Sequence, residues 1–272
     1  MSSFSAEYSP VCPDAPELGK AAILPWDSQP FGFNVGAYVP TDARSLPPTP
    51  QRDALRAGIA DWMRLHEVEL LSCAVPADAF EWSAWLGAAG FTFVDLALTA
   101  FARKLTHLPA PRITVRMAAD EDAPDLERIA GHAFRFGRYH ADPRFPKALA
   151  DDRYQRWIRH ALAAQSDQEF VFVSGPAGNP TGFIHATLQG STIDLRLAAV
   201  DPAQSPGILG PSLFTAVLVA LRERGARSAK ARLSAGNTGI LSLYSSLGFL
   251  FPEAEAVLHL HAPAAQHLLP PL

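Results

Sequence analysis

The sequence has little of what secreted, membrane-spanning or nucleic-acid-binding proteins need. Its two cysteines, Cys12 and Cys73, are too few for a secreted disulfide framework, so we expect a reducing, cytoplasmic setting. The N-terminal segment lacks the basic and apolar regions of a signal peptide, and no apolar run approaches the ~20 residues that span a bilayer. A formal charge of −4 gives no basic excess, which argues against nucleic acid or an anionic membrane as a partner.

What the sequence does contain is enough apolar material for two globular cores. It has 272 residues, of which 48% are hydrophobic and 18% charged, a composition typical of folded domains. Its alanine and proline content is typical of a GC-rich bacterial genome. Two prolines in the segment 107–112 indicate a stiffened linker. We therefore predict a flexible N-terminus over 1–20, an α/β domain over 21–108, a second domain over 112–262 and a tail over 263–272.

The hydrophobic pattern after the linker predicts a definite order of elements, β-α-α-β-β-β-α-β-α-β-β. Three strands in meander order precede a helix, and a strand, a second helix and two closing strands follow. The expected ranges from the meander onwards are 170–173, 181–188, 192–200, 213–224, 228–233, 237–247, 249–251 and 255–261. This alternation of strands and helices predicts an α/β fold.

The junction between the third meander strand and the next helix has residues suited to holding a pyrophosphate. It contains Gln204, Gly207 and Gly210, with Pro206 and Pro211 beside them. Amides at a helix N-terminus lack intrahelical partners and bind anions, and glycine lets a phosphate approach the backbone. The prolines supply no N–H, and this would be harmless for Pro211 at a first helical position. An ordinary turn is the alternative.

A second segment combines a helix-starting asparagine with a tyrosine and a Leu-Gly-Phe ending. Asn237 suits a helix N-cap, and Tyr244 falls on the apolar face of the following helix. These two ordinary roles, capping and core packing, are the alternatives to a functional role. They account for the residue types but not for their spacing together with the upstream junction.

Together the two segments resemble motifs A and B of the GNAT superfamily of acyl-CoA-dependent N-acyltransferases. Gln204 and Gly207 match the Arg/Gln-x-x-Gly-x-Gly/Ala pattern of motif A, whereas Leu209 occupies its second small position and Gly210 comes one place late. Asn237, Tyr244 and the pair Gly248-Phe249 have the spacing of motif B. The resemblance implies the GNAT fold, a central mixed, mostly antiparallel twisted sheet flanked by helices. A smaller α/β domain, with a partial GNAT-like domain as one alternative, would precede it.

The resemblance also implies a chemistry, in which acetyl-CoA or another acyl-CoA is the co-substrate. Backbone groups at Ala199 and Val200 would hold the thioester, Tyr244 would protonate the leaving thiolate, and Asn237 would contact the pantetheine arm. The implied cofactor-binding set is Ala199, Val200, Gln204, Gly207, Ile208, Leu209, Gly210, Ser212, Asn237 and Tyr244.

The base that deprotonates the attacking amine has one candidate in the sequence. Asp194 lies six residues before Val200, where some related histone acetyltransferases place a glutamate. A surface ion pair with Arg196 is the alternative for Asp194, and a water chain is an alternative base.

Further stretches resemble one branch of the superfamily, TDP-fucosamine acetyltransferase and its two-domain relatives. These are 138–146 with 154–158, and 26–28 with the pair Phe31-Gly32. The implied acceptor is a small amine, in that branch on a nucleotide-linked amino sugar. Arg138, His140 and Arg144 would suit its diphosphate, and a solvated basic loop is the alternative.

We therefore predict a GNAT-type N-acetyltransferase acting on a small amine. The alternative is a GNAT-like module that binds acyl-CoA or a partner without turnover. No metal site is predicted. The quaternary state stays open, with a homodimer among the alternatives.

Overall fold

A computed structural model describes residues 6–106, 108–204 and 206–263 of the chain. Residues 1–5 of the predicted flexible N-terminus and 264–272 of the predicted tail lie outside the described residues, as does His107 of the predicted linker. The contacts divide the chain into two compact units. Unit 1 comprises Met1–Ala97, Gly137–Ala150 and Ala254–Leu272, and unit 2 comprises Leu98–Phe136 and Asp151–Glu253. The predicted domains are instead continuous in sequence, and their boundary at 108–112 stays a prediction.

The first part of the chain alternates short strands with helices. In chain order the elements are β1 (Ser9–Pro10), β2 (Lys20–Ile23), α1 (Pro25–Phe31), β3 (Asn34–Val39), α2 (Thr49–Leu65), β4 (Val68–Pro76), α3 (Phe80–Ala88) and β5 (Thr92–Ala102). Pro50 falls in the first turn of α2, where its missing N–H leaves no bond unmade. Gly90 follows α3 with a φ of 100°, the left-handed conformation that glycine adopts after a helix.

The second part follows the predicted order of elements, except that it has one additional helix and that two predicted strands form a single strand. The elements are β6 (Arg116–Met117), α4 (Ala123–Ala133), α5 (Arg138–Ala141), α6 (Lys147–Ala163), β7 (Glu169–Ser174), β8 (Gly182–Gln189), β9 (Thr192–Val200), α7 (Pro206–Glu223), β10 (Ser228–Ser234), α8 (Thr238–Ser246) and β11 (Leu250–His261). The short helix α5 was not predicted. The two predicted closing strands are one strand, β11, because only Pro252 interrupts the segment and a strand tolerates proline where its N–H would have no partner.

Unit 1 has a sheet that buries a core beneath two helices. β1, β2 and β3 are antiparallel, β3 runs parallel to β4, and β4 pairs antiparallel with β11 over Glu255–His261. The core contains side chains of α2, α3 and β4. It also buries Val11, Cys12 and Leu18, so these three residues of the segment 1–20 are held in the core and are not loose as expected.

Unit 2 has a mixed sheet with a core on each face. β6, β7, β8 and β9 are antiparallel neighbours, and β9 runs parallel to β10. Alternation along β7 sends Phe170 and Phe172 into a core with α7 and α8, and Val171 and Val173 into a core with α4 and α6. Across the described residues, every helix is too short or too polar to cross a membrane.

Candidate functional site

The parallel strands β9 and β10 of unit 2 pair over only part of their length. Their ladder runs from Thr192 opposite Ser228 to Leu195 opposite Ala231. Both strands continue beyond this point, to Val200 and Ser234. Beyond Leu195, the backbone groups of β9 that face away from β8 therefore have no ladder with β10. Unpaired strand groups of this kind can bind a ligand's amide or carbonyl groups, as a β-strand binds its neighbour.

A β-bulge at Arg196 accompanies this divergence. On β8, His185 lies opposite Leu197 and the next residue, Ala186, lies opposite Leu195, so Arg196 is the extra residue. The bulge reverses the faces of the strand, because Leu195 packs in the core with α7 whereas Leu197 packs in the core with α4. Bulges bend a strand and increase its twist, which explains why β9 turns away from β10 here.

Helix α7 begins at Pro206 and not, as predicted, at Leu213. Pro206 therefore occupies the first turn, where a missing N–H is harmless, and Pro211 lies inside the helix instead of at its start. The prediction was wrong because two glycines and two prolines make 206–211 a poor helix former by propensity. Gly207 and Ile208 consequently fall in the first turn, whose amides have no intrahelical partners.

The first turn of α7 has open space beside it. A Cβ atom added at Gly207 or at Gly210 would meet no atom within 4 Å, and the Ile208 side chain is 76% exposed. Leu209 is only partly buried. The Ser212 hydroxyl donates a hydrogen bond to the Ile208 carbonyl at 3.1 Å, so it is engaged within the helix. An anion can approach the amides of this turn without displacing a packed side chain.

Asp201 fixes the loop between β9 and α7, a role that sequence reasoning missed. Its carboxylate accepts the Ala203 amide at 2.9 Å and the Arg128 guanidinium at 2.8 Å, and its carbonyl accepts the Gln204 amide at 2.9 Å. The hydrogen bond from Arg128 and the amide of Ala203 lower the pKa of Asp201. The Asp201-Pro202 pair was the available signal, because aspartate bonds its own backbone two residues on in such turns. Gln204 is exposed at the end of this loop.

Tyr244 of α8 is held by two aromatic rings. Its ring centroid lies 5.4 Å from that of Phe214 and 4.8 Å from that of Phe249, and the side chain is buried. Its hydroxyl has no hydrogen-bond partner among the described residues. Burial and, secondarily, the Asp194 carboxylate raise the pKa of Tyr244, so the phenol is protonated at neutral pH. The predicted packing role is therefore present, and a hydroxyl remains for a ligand.

Asn237 caps α8. Its side-chain Oδ1 accepts the Ile240 amide at 3.2 Å, which satisfies one of the amides that a helix leaves unpaired at its start. The side-chain NH₂ group is still available as a donor.

Ala199 and Val200, the residues expected to hold the thioester, lie at the end of β9 beyond the last pair with β10.

A polar row crosses four strands of unit 2 just before β9 and β10 diverge. Glu169 lies opposite Thr187, Thr187 opposite Asp194, and Asp194 opposite Lys230. Lys230 Nζ lies 3.9 Å from Asp194 Oδ2, which makes Lys230 the ion-pair partner in place of the expected Arg196. Thr187 Oγ1 is buried without a hydrogen-bond partner among the described residues. Only the register brings these residues together.

His185 stands beside this row and has both ring nitrogens engaged. Trp157 Nε1 donates to its Nδ1 at 3.2 Å, and its Nε2 lies 3.0 Å from Glu169 Oε1. Burial lowers the pKa of His185, which keeps the ring neutral at neutral pH although Glu169 opposes the shift. The indole N–H requires an acceptor at Nδ1, so Nε2 carries the proton and donates it to Glu169. His185 therefore positions Glu169 and has no nitrogen left for a substrate.

The three predicted acceptor residues all lie in unit 1. Arg138 donates to Asp27 Oδ2 at 2.8 Å and to the Tyr139 hydroxyl at 3.1 Å. Burial would lower the pKa of Arg138, but Tyr139 and Asp27 outweigh it and raise that pKa. His140 is half-buried in α5, and Arg144 is exposed beyond it. Binding of a diphosphate by these residues stays a prediction, and it would require Arg138 to exchange its present partners.

Comparison with known proteins identifies the fold. No protein-family model and no curated protein matches the sequence. A GCN5-related N-acetyltransferase from Sphaerobacter thermophilus matches with a TM-score of 0.64 at 14% identity, over 94% of this chain and 78% of that one. One from Kribbella flavida matches with a TM-score of 0.57 at 16% identity, over 94% of this chain and 89% of that one. A tandem GNAT protein from the clavulanic acid biosynthesis pathway matches with a TM-score of 0.56 at 14% identity, over 90% and 79%.

At these identities the likeness shows the fold. The chain has the GNAT fold, so the predicted fold class is confirmed, and the matches extend over most of its length.

Proposed function

We propose that the chain is a GNAT-type N-acetyltransferase that transfers an acetyl or other short acyl group from acyl-CoA to the amine of a small molecule. The observation that carries the proposal is the end of the β9–β10 ladder at Leu195 and Ala231, next to the open first turn of α7. That pair of features lies on a fold shared with N-acetyltransferases. The unpaired groups of β9 suit the amides of pantetheine, and the amides of α7 suit the pyrophosphate.

The reaction is a direct transfer. The neutral amine attacks the thioester carbonyl, a C–N bond forms, and the tetrahedral intermediate expels coenzyme A thiolate as the C–S bond breaks. The amine loses a proton and the thiolate gains one. Backbone amides near Ala199 and Val200 stabilise the oxyanion. The Tyr244 hydroxyl donates a hydrogen bond to the departing sulfur.

We place the amine acceptor beside the polar row, and the carboxylates of this row make that part of the sheet acidic. Glu169 and Asp194 are both partly exposed on the face that carries α4 and α6, and Lys230 offsets only part of their charge. We infer that this row attracts the ammonium form of the acceptor and holds it where it deprotonates to solvent water. An amine on a nucleotide-linked amino sugar is the narrower proposal, which the stretches 138–146 and 154–158 support by resemblance.

The substitution Asp194→Asn should show whether Asp194 attracts the ammonium form of the acceptor or acts as the base that deprotonates it. Because Asp194 is ion-paired with Lys230 and partly solvated, we expect kcat/KM for a cationic amine to fall about tenfold, through a higher KM. The measurement is the pH profile of kcat/KM for wild type and variant, with the exposed loop residue changed in Asp167→Asn as the matched control. A loss of 10²–10⁴ in kcat together with loss of the acidic limb of the profile would instead make Asp194 the base.

A binding and turnover experiment tests the function itself. We expect calorimetry to show one acetyl-CoA bound per chain, and we expect free thiol to be released when a set of small amines and amino-sugar nucleotides is added. Binding without thiol release for every amine would reassign the chain to the alternative, a GNAT-like acyl-CoA-binding module. Absence of binding would overturn both.

A further inference from the structure

We propose that Asp142, His259 and His261 form a binding site for one divalent transition-metal ion, with Zn²⁺ the ion that suits its ligands best. The site lies wholly in unit 1 and is independent of the proposed acyl transfer. His259 and His261 are two residues apart on β11, so both imidazoles project from one face of the strand. Asp142 comes directly after α5, and its Oδ2 lies 2.7 Å from His259 Nδ1 and 2.8 Å from His261 Nε2.

The arrangement has the donor set and compactness of a metal centre. One ligand atom from each residue lies within 4.8 Å of the others. Two imidazole nitrogens and one carboxylate oxygen are the donors that Zn²⁺ takes in proteins, at about 2.0–2.2 Å each. Tetrahedral ligands at those lengths lie about 3.3 Å apart, so the two N···O separations would widen by roughly half an ångström.

The three side chains are buried and firmly supported. The side chains of His259, Asp142 and His261 are 0%, 1% and 7% exposed. His261 lies opposite Leu70 in the ladder with β4, which fixes the strand. Asp142 Oδ1 accepts the Arg144 amide at 2.9 Å, which leaves Oδ2 as the oxygen for the ion. A hydrogen bond of this kind, to the oxygen that does not ligate, orients a metal-binding carboxylate.

The surroundings tolerate an added positive charge. Arg138, the cation that acts on His259, is bound at 2.8 Å by the Asp27 carboxylate, and the Tyr139 hydroxyl donates to the same oxygen at 2.7 Å. His259 Nε2 has no hydrogen-bond partner among the described residues, so Asp142 is the one polar contact that a metal bond at Nδ1 would replace. Without an ion, the two imidazoles are the hydrogen-bond partners of Asp142 Oδ2, and a divalent ion would take their place as the positive partner of this buried carboxylate.

The test is metal titration of the full chain after removal of any affinity tag and dialysis against a chelator. We expect Zn²⁺ to bind in one equivalent when it competes with a chromophoric chelator, and Co²⁺ to give the visible absorption of four-coordinate geometry. His261→Ala and Asp142→Asn should each weaken the Zn²⁺ affinity at least tenfold. His132→Ala, which removes an exposed histidine of α4 in unit 2, should leave the affinity unchanged.

The wild-type protein decides the matter even if the variants fail to fold. X-ray absorption of the Zn²⁺-loaded wild type should show two imidazole ligands. The proposal is overturned if wild type binds no stoichiometric Zn²⁺, if its bound ion has no imidazole ligands, or if folded His261→Ala binds as tightly as wild type. The three residues would then be a hydrogen-bonded cluster that ties the segment 137–150 to β11.

Discussion

Replacing Tyr244 with phenylalanine should lower kcat about 100-fold and leave the fold and the affinity for acetyl-CoA nearly unchanged. Phenylalanine keeps the ring between Phe214 and Phe249, whose centroids lie 5.4 and 4.8 Å away. The substitution removes only the hydroxyl, which has no partner among the described residues, so no buried group is left unsatisfied. Any large loss of rate therefore reports on the reaction.

The size of the effect follows from the pKa of the phenol. Burial and the Asp194 carboxylate raise that pKa above its ordinary value of about 10, whereas a thiol titrates near 8.5. Complete proton transfer from Tyr244 to the thiolate is thus uphill, and the phenol acts mainly as a hydrogen-bond donor to the charge that develops on sulfur. This favours the lower end of the 10²–10⁴ range of general-acid catalysis, about 2.7 kcal/mol in the barrier.

Single-turnover release of thiol is the appropriate measurement, because it excludes product release as the limiting step. Tyr8→Phe changes an exposed tyrosine of unit 1 and serves as the control. Equal rates for wild type and Tyr244→Phe would leave Tyr244 as a core residue only. The raised pKa keeps the phenol of Tyr244 protonated up to about pH 9. We therefore expect the rates of wild type and Tyr244→Phe to depend on pH in the same way between pH 7 and about pH 9.

Local sequence pattern predicted the parts of the site that local structure builds. The helix that carries Tyr244 has an N-capping asparagine at its start and a glycine after its end, and both signals are short-range. Strand β9 was recognised from its alternation, and its ladder with β8 covers Thr192–Val200 as predicted. Helix α7 was predicted too short, because the core contacts of Leu213, Phe214 and Val217 stabilise a helix whose first turns have low propensity.

Long-range register produced what the sequence concealed. Glu169, Thr187, Asp194 and Lys230 meet only because four strands are aligned in one particular register. They lie seven or more residues apart in the sequence, and these spacings form no recognisable pattern. Asp142 and His259 are separated by 117 residues, so their contact also depends on the tertiary fold. The bulge at Arg196 is a further case, since an uninterrupted alternation would have placed Leu195 and Leu197 on the same face.

Replacing Gly207 with aspartate should weaken acetyl-CoA binding about 100-fold while leaving the folded state as stable as wild type or slightly more so. The same carboxylate produces both effects, one favourable to the folded state and one unfavourable to binding. A carboxylate in the first turn of α7 interacts favourably with the positive end of the helix dipole, which contributes about 0.3–1 kcal/mol to stability. The same carboxylate would stand where the pyrophosphate must bind, and a Cβ at this position meets no atom within 4 Å.

Coulomb's law sets the scale of the loss. Two unit charges 4 Å apart interact by about 4 kcal/mol at an effective dielectric constant of 20, and side-chain rotation away from the phosphate relieves part of this. About 2.7 kcal/mol then remains, which is a factor of 100 in Kd. Gly207→Asn is the matched control, because asparagine has nearly the same shape without the charge, and we expect it to lose less than tenfold.

Calorimetry at low and high salt completes the test, since the difference between the aspartate and asparagine variants should shrink as salt screens exposed charges. Equal losses in the two variants, unaffected by salt, would mean that bulk and not charge is at work beside α7. No loss in either would place the pyrophosphate away from this turn. The proposed acyl-CoA site would then lack its pyrophosphate-binding part, and the end of the β9–β10 ladder at Leu195 and Ala231 would need another explanation.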